Sequence, residues 1–138
     1  MWKSWGVWTL DYRPDFTAAE SGLDTFVRLD KPANFIGKSA ATAEKARGPE
    51  KRLITLVVDA NQVDVIRDEP IFSEGRCIGY VTSGGYAHYV RKSVAMGYVP
   101  TEFQQQDKPM EIEILGEMRS AWVQRLPLYD PGGERMKS

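Results

Sequence analysis

Leu53-Ile54-Thr55-Leu56-Val57-Val58 decides the fold class, because so dense a run of β-branched and aliphatic residues favours an extended strand over a helix. Further runs of the same kind follow: Ile71-Phe72, Cys77-Ile78-Gly79-Tyr80-Val81, Ser93 to Val99, Met110 to Leu115, and Ala121-Trp122-Val123, with turn residues between them. About six short strands are expected. Met110, Ile112 and Ile114 alternate with Glu111 and Glu113, the pattern of a strand with one wet face, so the sheet should be antiparallel. Short antiparallel strands in one small domain suggest a barrel or a compact sandwich. Gly116-Glu117 is placed in a tight hairpin, and Ser83-Gly84-Gly85-Tyr86 in a second turn.

Upstream of this β region the chain reads differently. Asp11 to Asp15 has the polar and proline content of a loop. Thr17-Ala18-Ala19-Glu20 is a capping box and predicts a short helix weakened by Gly22, which gives way to an extended stretch before Lys31-Pro32. The alanines and mixed charges from Lys38 to Arg47 predict a second helix, ended by Gly48-Pro49. The domain boundary falls there, with residues 1–48 helical and residues 49–138 β. The tail from Leu126 to Ser138 is rich in proline, glycine and charge, and its last residues are expected to be mobile.

Composition narrows the function classes. Eighteen basic against nineteen acidic residues leave a formal charge of -1, so no large electrostatic attraction to nucleic acid or an acidic membrane arises. Neither partner is expected. One cysteine, Cys77, and one histidine, His88, supply neither a disulfide nor the ligand set that zinc prefers. No signal peptide or membrane-spanning run is evident, and a reducing, cytoplasmic location is expected. Trp2, Trp5 and Trp8 place bulky aromatic surface where chains usually begin with solvated residues, which reads as a cut in a longer protein. Their indoles serve either as core anchors or a partly buried aromatic patch, or as faces on which a ligand stacks.

The familiar catalytic patterns are missing. Gly37-Lys38-Ser39 has the ending of a phosphate loop, but the earlier glycine that loop requires falls on Pro32. The glycines from Gly79 to Gly85 lie between strands and lack the helix of a dinucleotide site. His88 has no identifiable partner and reads as a surface histidine, while Cys77, inside an apolar strand, reads as a small core residue. No catalytic residue and no metal ligand is nominated.

Four phrases in order carry a resemblance: Asp15-Phe16-Thr17-Ala18-Ala19-Glu20-Ser21-Gly22-Leu23, Asn34-Phe35-Ile36-Gly37-Lys38, Ile78-Gly79-Tyr80-Val81-Thr82-Ser83-Gly84-Gly85-Tyr86, and Val94-Ala95-Met96-Gly97-Tyr98-Val99-Pro100. Together they resemble the C-terminal region of the glycine-cleavage T-protein (aminomethyltransferase) family. The ending Pro127-Leu128-Tyr129-Asp130-Pro131 with Glu134-Arg135-Met136 is closest to the folate-binding part of the dimethylglycine and sarcosine dehydrogenases. The resemblance implies an α+β fold, with a short N-terminal helical segment followed by a small antiparallel β-barrel of about six strands. Residues 1–48 would be the tail end of a folate-binding body and residues 49–138 the C-terminal barrel.

It further implies tetrahydrofolate as cofactor of the intact protein, with a flavin possible in a domain upstream. The family's catalytic aspartate, and an arginine that helps to hold the ligand, would precede Met1. The chain is therefore expected to close one side of the folate site without catalysing alone, packed on the remainder of its parent enzyme. Candidate folate-binding residues are Trp8, by its aromatic face, Tyr129, and Arg135, by pairing with a folate carboxylate. An exposed tryptophan patch would mark the docking surface, and could drive self-association of a fragment. The alternative is a free-standing, non-catalytic binding or scaffold domain with the same barrel, which should cover that patch.

Overall fold

The computed structural model describes residues 3–105, 107 and 109–137. Among them six strands form one closed, wholly antiparallel barrel: β1 (Lys51–Val58), β2 (Pro70–Ser73), β3 (Arg76–Ala87), β4 (Lys92–Pro100), β5 (Met110–Ile114) and β6 (Glu117–Val123). Around the barrel the order is β1-β4-β3-β2-β5-β6, and β6 closes on β1 through Leu56↔Val123, Val57↔Trp122 and Val58↔Ala121. Closure pairs the sheet edges that a sandwich would leave open. The barrel and the strand count expected from the sequence are therefore both present.

Strand alternation fills the interior. Ile54, Leu56 and Val58 of β1 meet Ile71, Val81, Ala95, Val99, Met110, Ile112, Ile114 and Ala121 in one buried cluster. Burying each of the larger side chains is worth roughly 1.5–3 kcal/mol. Strand β4 is buried from Val94 to Val99 without interruption, since Val94, Met96 and Tyr98 of its outer face are covered as well as the inner residues. Phe16 provides part of that cover, stacked on Tyr98 with ring centroids 3.5 Å apart.

Two hairpins use two-residue loops in which both residues have positive φ, Glu74-Gly75 (51° and 74°) and Leu115-Gly116 (51° and 80°). Such loops match the right-handed twist of the strands they join. The hairpin expected at Gly116-Glu117 thus exists, one residue earlier. The turn expected at Ser83 to Tyr86 does not: β3 runs through these residues to Ala87, and His88 to Arg91 make the connection to β4. Close packing explains the glycine at position 84, where a Cβ would stand 2.4 Å from the Val65 carbonyl oxygen. Cys77 also departs from expectation. It is exposed on β3, on the outside of the barrel rather than in its core.

The N-terminal part contains one α-helix, α1 (Lys38–Arg47), with the expected bounds, among the described residues. Gly48 ends it, with φ 84° and its N–H donating to the Glu44 carbonyl. The capping box at Thr17 is made, with Thr17 N–H donating to Glu20 Oε2 (3.0 Å) and Glu20 N–H to Thr17 Oγ1 (3.1 Å). Only one turn follows. Leu23 N–H bonds the Ala18 carbonyl and Gly22 N–H the Ala19 carbonyl, with Gly22 at φ 71°, so a C-terminal stop closes the helix as soon as it starts. Asp24–Phe26 then forms a 3-10 turn in place of an extended stretch.

Candidate functional site

The segment from Ser4 to Leu23 is bound to the outside of the barrel by a buried polar network that centres on Asp11, which is 0% exposed. Its carboxylate accepts from Val7 N–H (2.6 Å), from the Thr82 hydroxyl, and from the Ser83 hydroxyl at 2.8 and 2.9 Å to its two oxygens. Neighbouring residues of a regular strand point to opposite faces. Thr82 and Ser83 both reach Asp11 because the β3–β4 register shifts between Val81 and Ser83, a bulge that turns two consecutive side chains the same way. The Tyr98 hydroxyl donates to the Asp11 carbonyl (2.9 Å) and lies 2.8 Å from Ser21 Oγ. Burial pushes the Tyr98 phenol up to about 12, against the lowering effect of the Ser21 hydrogen bond.

This network supports a compact loop from Gly6 to Tyr12. The Val7 carbonyl accepts from the N–H groups of Leu10, Asp11 and Tyr12, Thr9 N–H bonds the Tyr12 carbonyl, and Gly6 N–H bonds the Tyr12 hydroxyl at 2.9 Å. A side chain at Gly6 would collide with Asp11 Cβ at 2.7 Å and with the Tyr12 ring. Trp8 sits on this tied loop, yet its indole is 75% exposed. Trp5, Val7 and Phe26 are exposed beside it, with Trp5 in edge contact with Tyr12 and Phe26. Trp2 lies outside the described residues. Trp5 and Trp8 are thus not core anchors, while the ring contacts of Trp5 fit a partly buried aromatic patch.

Trp8 borders a cleft of about 600 Å³ whose other walls include Tyr12, Arg13, Phe16, Ser21 and Leu23. Arg13 is paired there with Asp15 at 2.5 Å. The two other candidates meet elsewhere: the guanidinium of Arg135 lies 5.4 Å from the centroid of the Tyr129 ring, and Lys3 Nζ lies 5.6 Å from the same ring. Tyr89 packs edge-on against Tyr129 at 4.5 Å. Asp130 shapes this tail by accepting from the N–H groups of Glu134 and Arg135. The structure therefore joins Tyr129 to Arg135 and sets Trp8 on a cleft that Tyr129 and Arg135 do not line. A second cleft of about 570 Å³, lined by alanines of α1 and by Arg52 and Glu44, lies between α1 and the Thr17–Leu29 region.

Asp11, Ser21, Thr82, Ser83 and Tyr98, with Lys3 and Tyr89, were not among the residues the sequence nominated. Asp11 bonds partners 71 and 72 positions away, and no local pattern announces such a pairing. The only available signal was the pair of hydroxyls, Thr82-Ser83, ahead of two glycines in a strand.

Comparison with known proteins bears on the same residues. The model of the glycine cleavage T-protein C-terminal barrel domain matches residues 51–130. Mitochondrial dimethylglycine dehydrogenase of Homo sapiens is 37% identical over 126 residues, covering 91% of this chain and 14% of that protein. The aminomethyltransferase of Synechocystis is 38% identical over 112 residues, covering 81% of this chain and 30% of its own length. A crystal structure of the glycine cleavage system aminomethyltransferase T from Bartonella henselae superposes with a TM-score of 0.85 at 26% identity, over 94% of this chain and 37% of that one. The chain thus spans less than two-fifths of each of these relatives.

Proposed function

Since the chain belongs to the glycine cleavage T-protein family through its C-terminal barrel domain, we propose that it is the folate-closing part of a tetrahydrofolate-dependent one-carbon transferase, of the aminomethyltransferase or the dimethylglycine and sarcosine demethylating kind. Residues 1–48 form the end of the folate-binding body and residues 49–138 the barrel that covers it. The observation that carries this reading is Trp8, an exposed indole on a loop held by the N–H groups of Gly6, Val7, Thr9, Leu10, Asp11 and Tyr12, bordering a cleft large enough for a flat heterocycle. An exposed aromatic face on a preformed support offers stacking at low ordering cost.

The residues present suit the two ends of tetrahydrofolate. Trp8, with Tyr12 and Phe16 nearby, suits the ring system. Lys3 and Arg135, both near Tyr129, suit the carboxylates. When bound, the folate supplies the acceptor for a one-carbon unit; the role of these side chains is to hold and orient it. Chemistry is left to residues outside this chain, and so is the flavin that goes with a dehydrogenase parent. The exposed Trp5, Val7 and Phe26 suit docking on the rest of that parent rather than a free-standing scaffold. No described helix is long and apolar enough to cross a membrane. We place the chain in the cytoplasm; the mammalian relatives are named as mitochondrial, and cell fractionation decides between the two.

Titration of the chain with tetrahydrofolate or a stable folate analogue, followed by tryptophan fluorescence and melting temperature, tests the reading. Saturable quenching with micromolar affinity, about 8 kcal/mol, that weakens in Trp8→Ala and in Arg135→Ala is expected. A folded chain that shows no binding up to millimolar ligand would refute it.

A further inference from the structure

We propose that Asp11 is a positioning residue for the ligand face: its buried carboxylate locks the Gly6–Tyr12 loop onto the bulge of β3 and thereby fixes where Trp8 stands. This rests on the reading of the Trp8 cleft as a folate site, and adds to it the residue that holds the site in place.

Three facts converge on Asp11. Its carboxylate accepts from Val7 N–H at 2.6 Å and its own N–H donates to the Val7 carbonyl at 2.9 Å, so side chain and backbone together close the loop on Val7. Trp8 follows Val7 directly, so both backbone hydrogen-bonding groups of the preceding residue are tied to Asp11. The same carboxylate takes Thr82 and Ser83 from the barrel, and the Asp11 carbonyl takes the Tyr98 hydroxyl from the next strand. Finally, the donors around the carboxylate are an amide and two hydroxyls. That arrangement holds an acceptor by geometry and does not depend on a neighbouring cation.

Phe16 and Ser21, on the far wall of the cleft, also rest on Tyr98. Both walls are therefore referenced to one place on the barrel, the Thr82-Ser83 bulge and Tyr98 beside it. An indole 75% exposed has little packing of its own to orient it. Its orientation must come through the backbone, and Asp11 is where the backbone is anchored.

The test compares Asp11→Ala with Asp11→Asn by amide hydrogen exchange and by binding of a stable folate analogue. Alanine leaves the Val7 amide and the Ser83 hydroxyl without their acceptor, while Thr82 keeps the Met96 carbonyl at 3.1 Å. Asparagine restores one, since its oxygen can accept from Val7 N–H while its amide donates to the hydroxyls. Expected in Asp11→Ala is loss of protection at the Val7, Asp11 and Tyr12 amides, retained protection in β1 and β5, and analogue binding weakened at least about tenfold. Asp11→Asn should recover most of both. Unchanged protection and binding in Asp11→Ala would overturn the proposal. So would an asparagine variant that recovers amide protection but not binding, because the charge would then act directly on the ligand. Should Asp11→Ala fail to fold, Ser83→Ala and Thr82→Val each remove a single donor and should give the same selective loss in smaller measure; protection lost evenly over loop and barrel would count against the lock. If the unaltered chain binds no folate, the cofactor reading fails, while the exchange pattern still decides whether Asp11 anchors the loop.

Discussion

Replacing Tyr98 by phenylalanine should remove a joint between the N-terminal segment and the barrel and leave the packing in place. The Tyr98 ring is only 2% exposed and stacks on Phe16, and phenylalanine keeps that contact. What goes is one hydroxyl, which donates to the Asp11 carbonyl and meets Ser21 Oγ. Each buried group left without its partner costs about 1–3 kcal/mol, and Ser21 can turn to another acceptor more easily than the carbonyl can find another donor. A loss of about 2–3 kcal/mol is expected, read as a lower urea midpoint with an unchanged slope. Alkaline titration gives an independent check. The phenol is raised from 10.0 to about 12, so the native state favours the neutral form. Stability from this source is complete below about pH 10 and is lost as pH rises towards 12, in total up to about 3 kcal/mol. The unaltered chain should show that decline, and Tyr98→Phe should lack it. Equal urea midpoints for the two proteins, or a phenolate signal centred near pH 10 that disappears in Tyr98→Phe, would refute the assignment of Tyr98 as a buried joint.

Two further substitutions probe the barrel. A Cβ at position 79 would stand 2.0 Å from the Tyr98 carbonyl oxygen inside the sheet, whereas one at position 84 would meet the Val65 carbonyl of a loop. Gly79→Ala should therefore destabilise by several kcal/mol and more than Gly84→Ala, whose loop can shift; thermal melts that rank them the other way would contradict the packing account. Glu69 is buried, its carboxyl raised by desolvation against the lowering effect of the Ile66 N–H bond. Its raised value favours the native state at acid pH, and that advantage is lost as pH rises through the folded-state value. Glu69→Gln should consequently gain stability relative to the unaltered chain as pH rises through and above the usual carboxylate range. A difference in urea midpoint that does not change with pH would count against it.

Much of the barrel was legible because strand signals are local. The alternation of Met110, Ile112 and Ile114 with glutamates, and the β-branched run at Leu53, each report their own environment. Lys38–Arg47 was legible for the same reason, since alanines and a closing Gly48 act within a few residues. Thr17 shows the limit of such signals. Its capping box forms as written, but Gly22 closes the turn five residues later and no helix follows. The glycine at 84 misled in a different way: it answers to a backbone that approaches across the fold, and a sequence does not display such approaches. Cys77 lies on an outer face whose exposure depends on which neighbours cover it.

The candidate site was less legible still. Trp8, Tyr129 and Arg135 came through the family resemblance, and the structure joins the last two while giving Trp8 a cleft of its own. Asp11 was read as loop. A buried aspartate and an exposed one look alike in sequence when their partners are more than seventy residues away.

The most direct measurement on the central claim is chemical-shift mapping of the isotopically labelled chain titrated with a stable folate analogue. Shifts concentrated at Gly6 to Tyr12, at Phe16, and at Tyr129 to Arg135 are predicted, with the β5–β6 side of the barrel unaffected. Shifts confined to another region, such as the cleft between α1 and Arg52, would contradict the account.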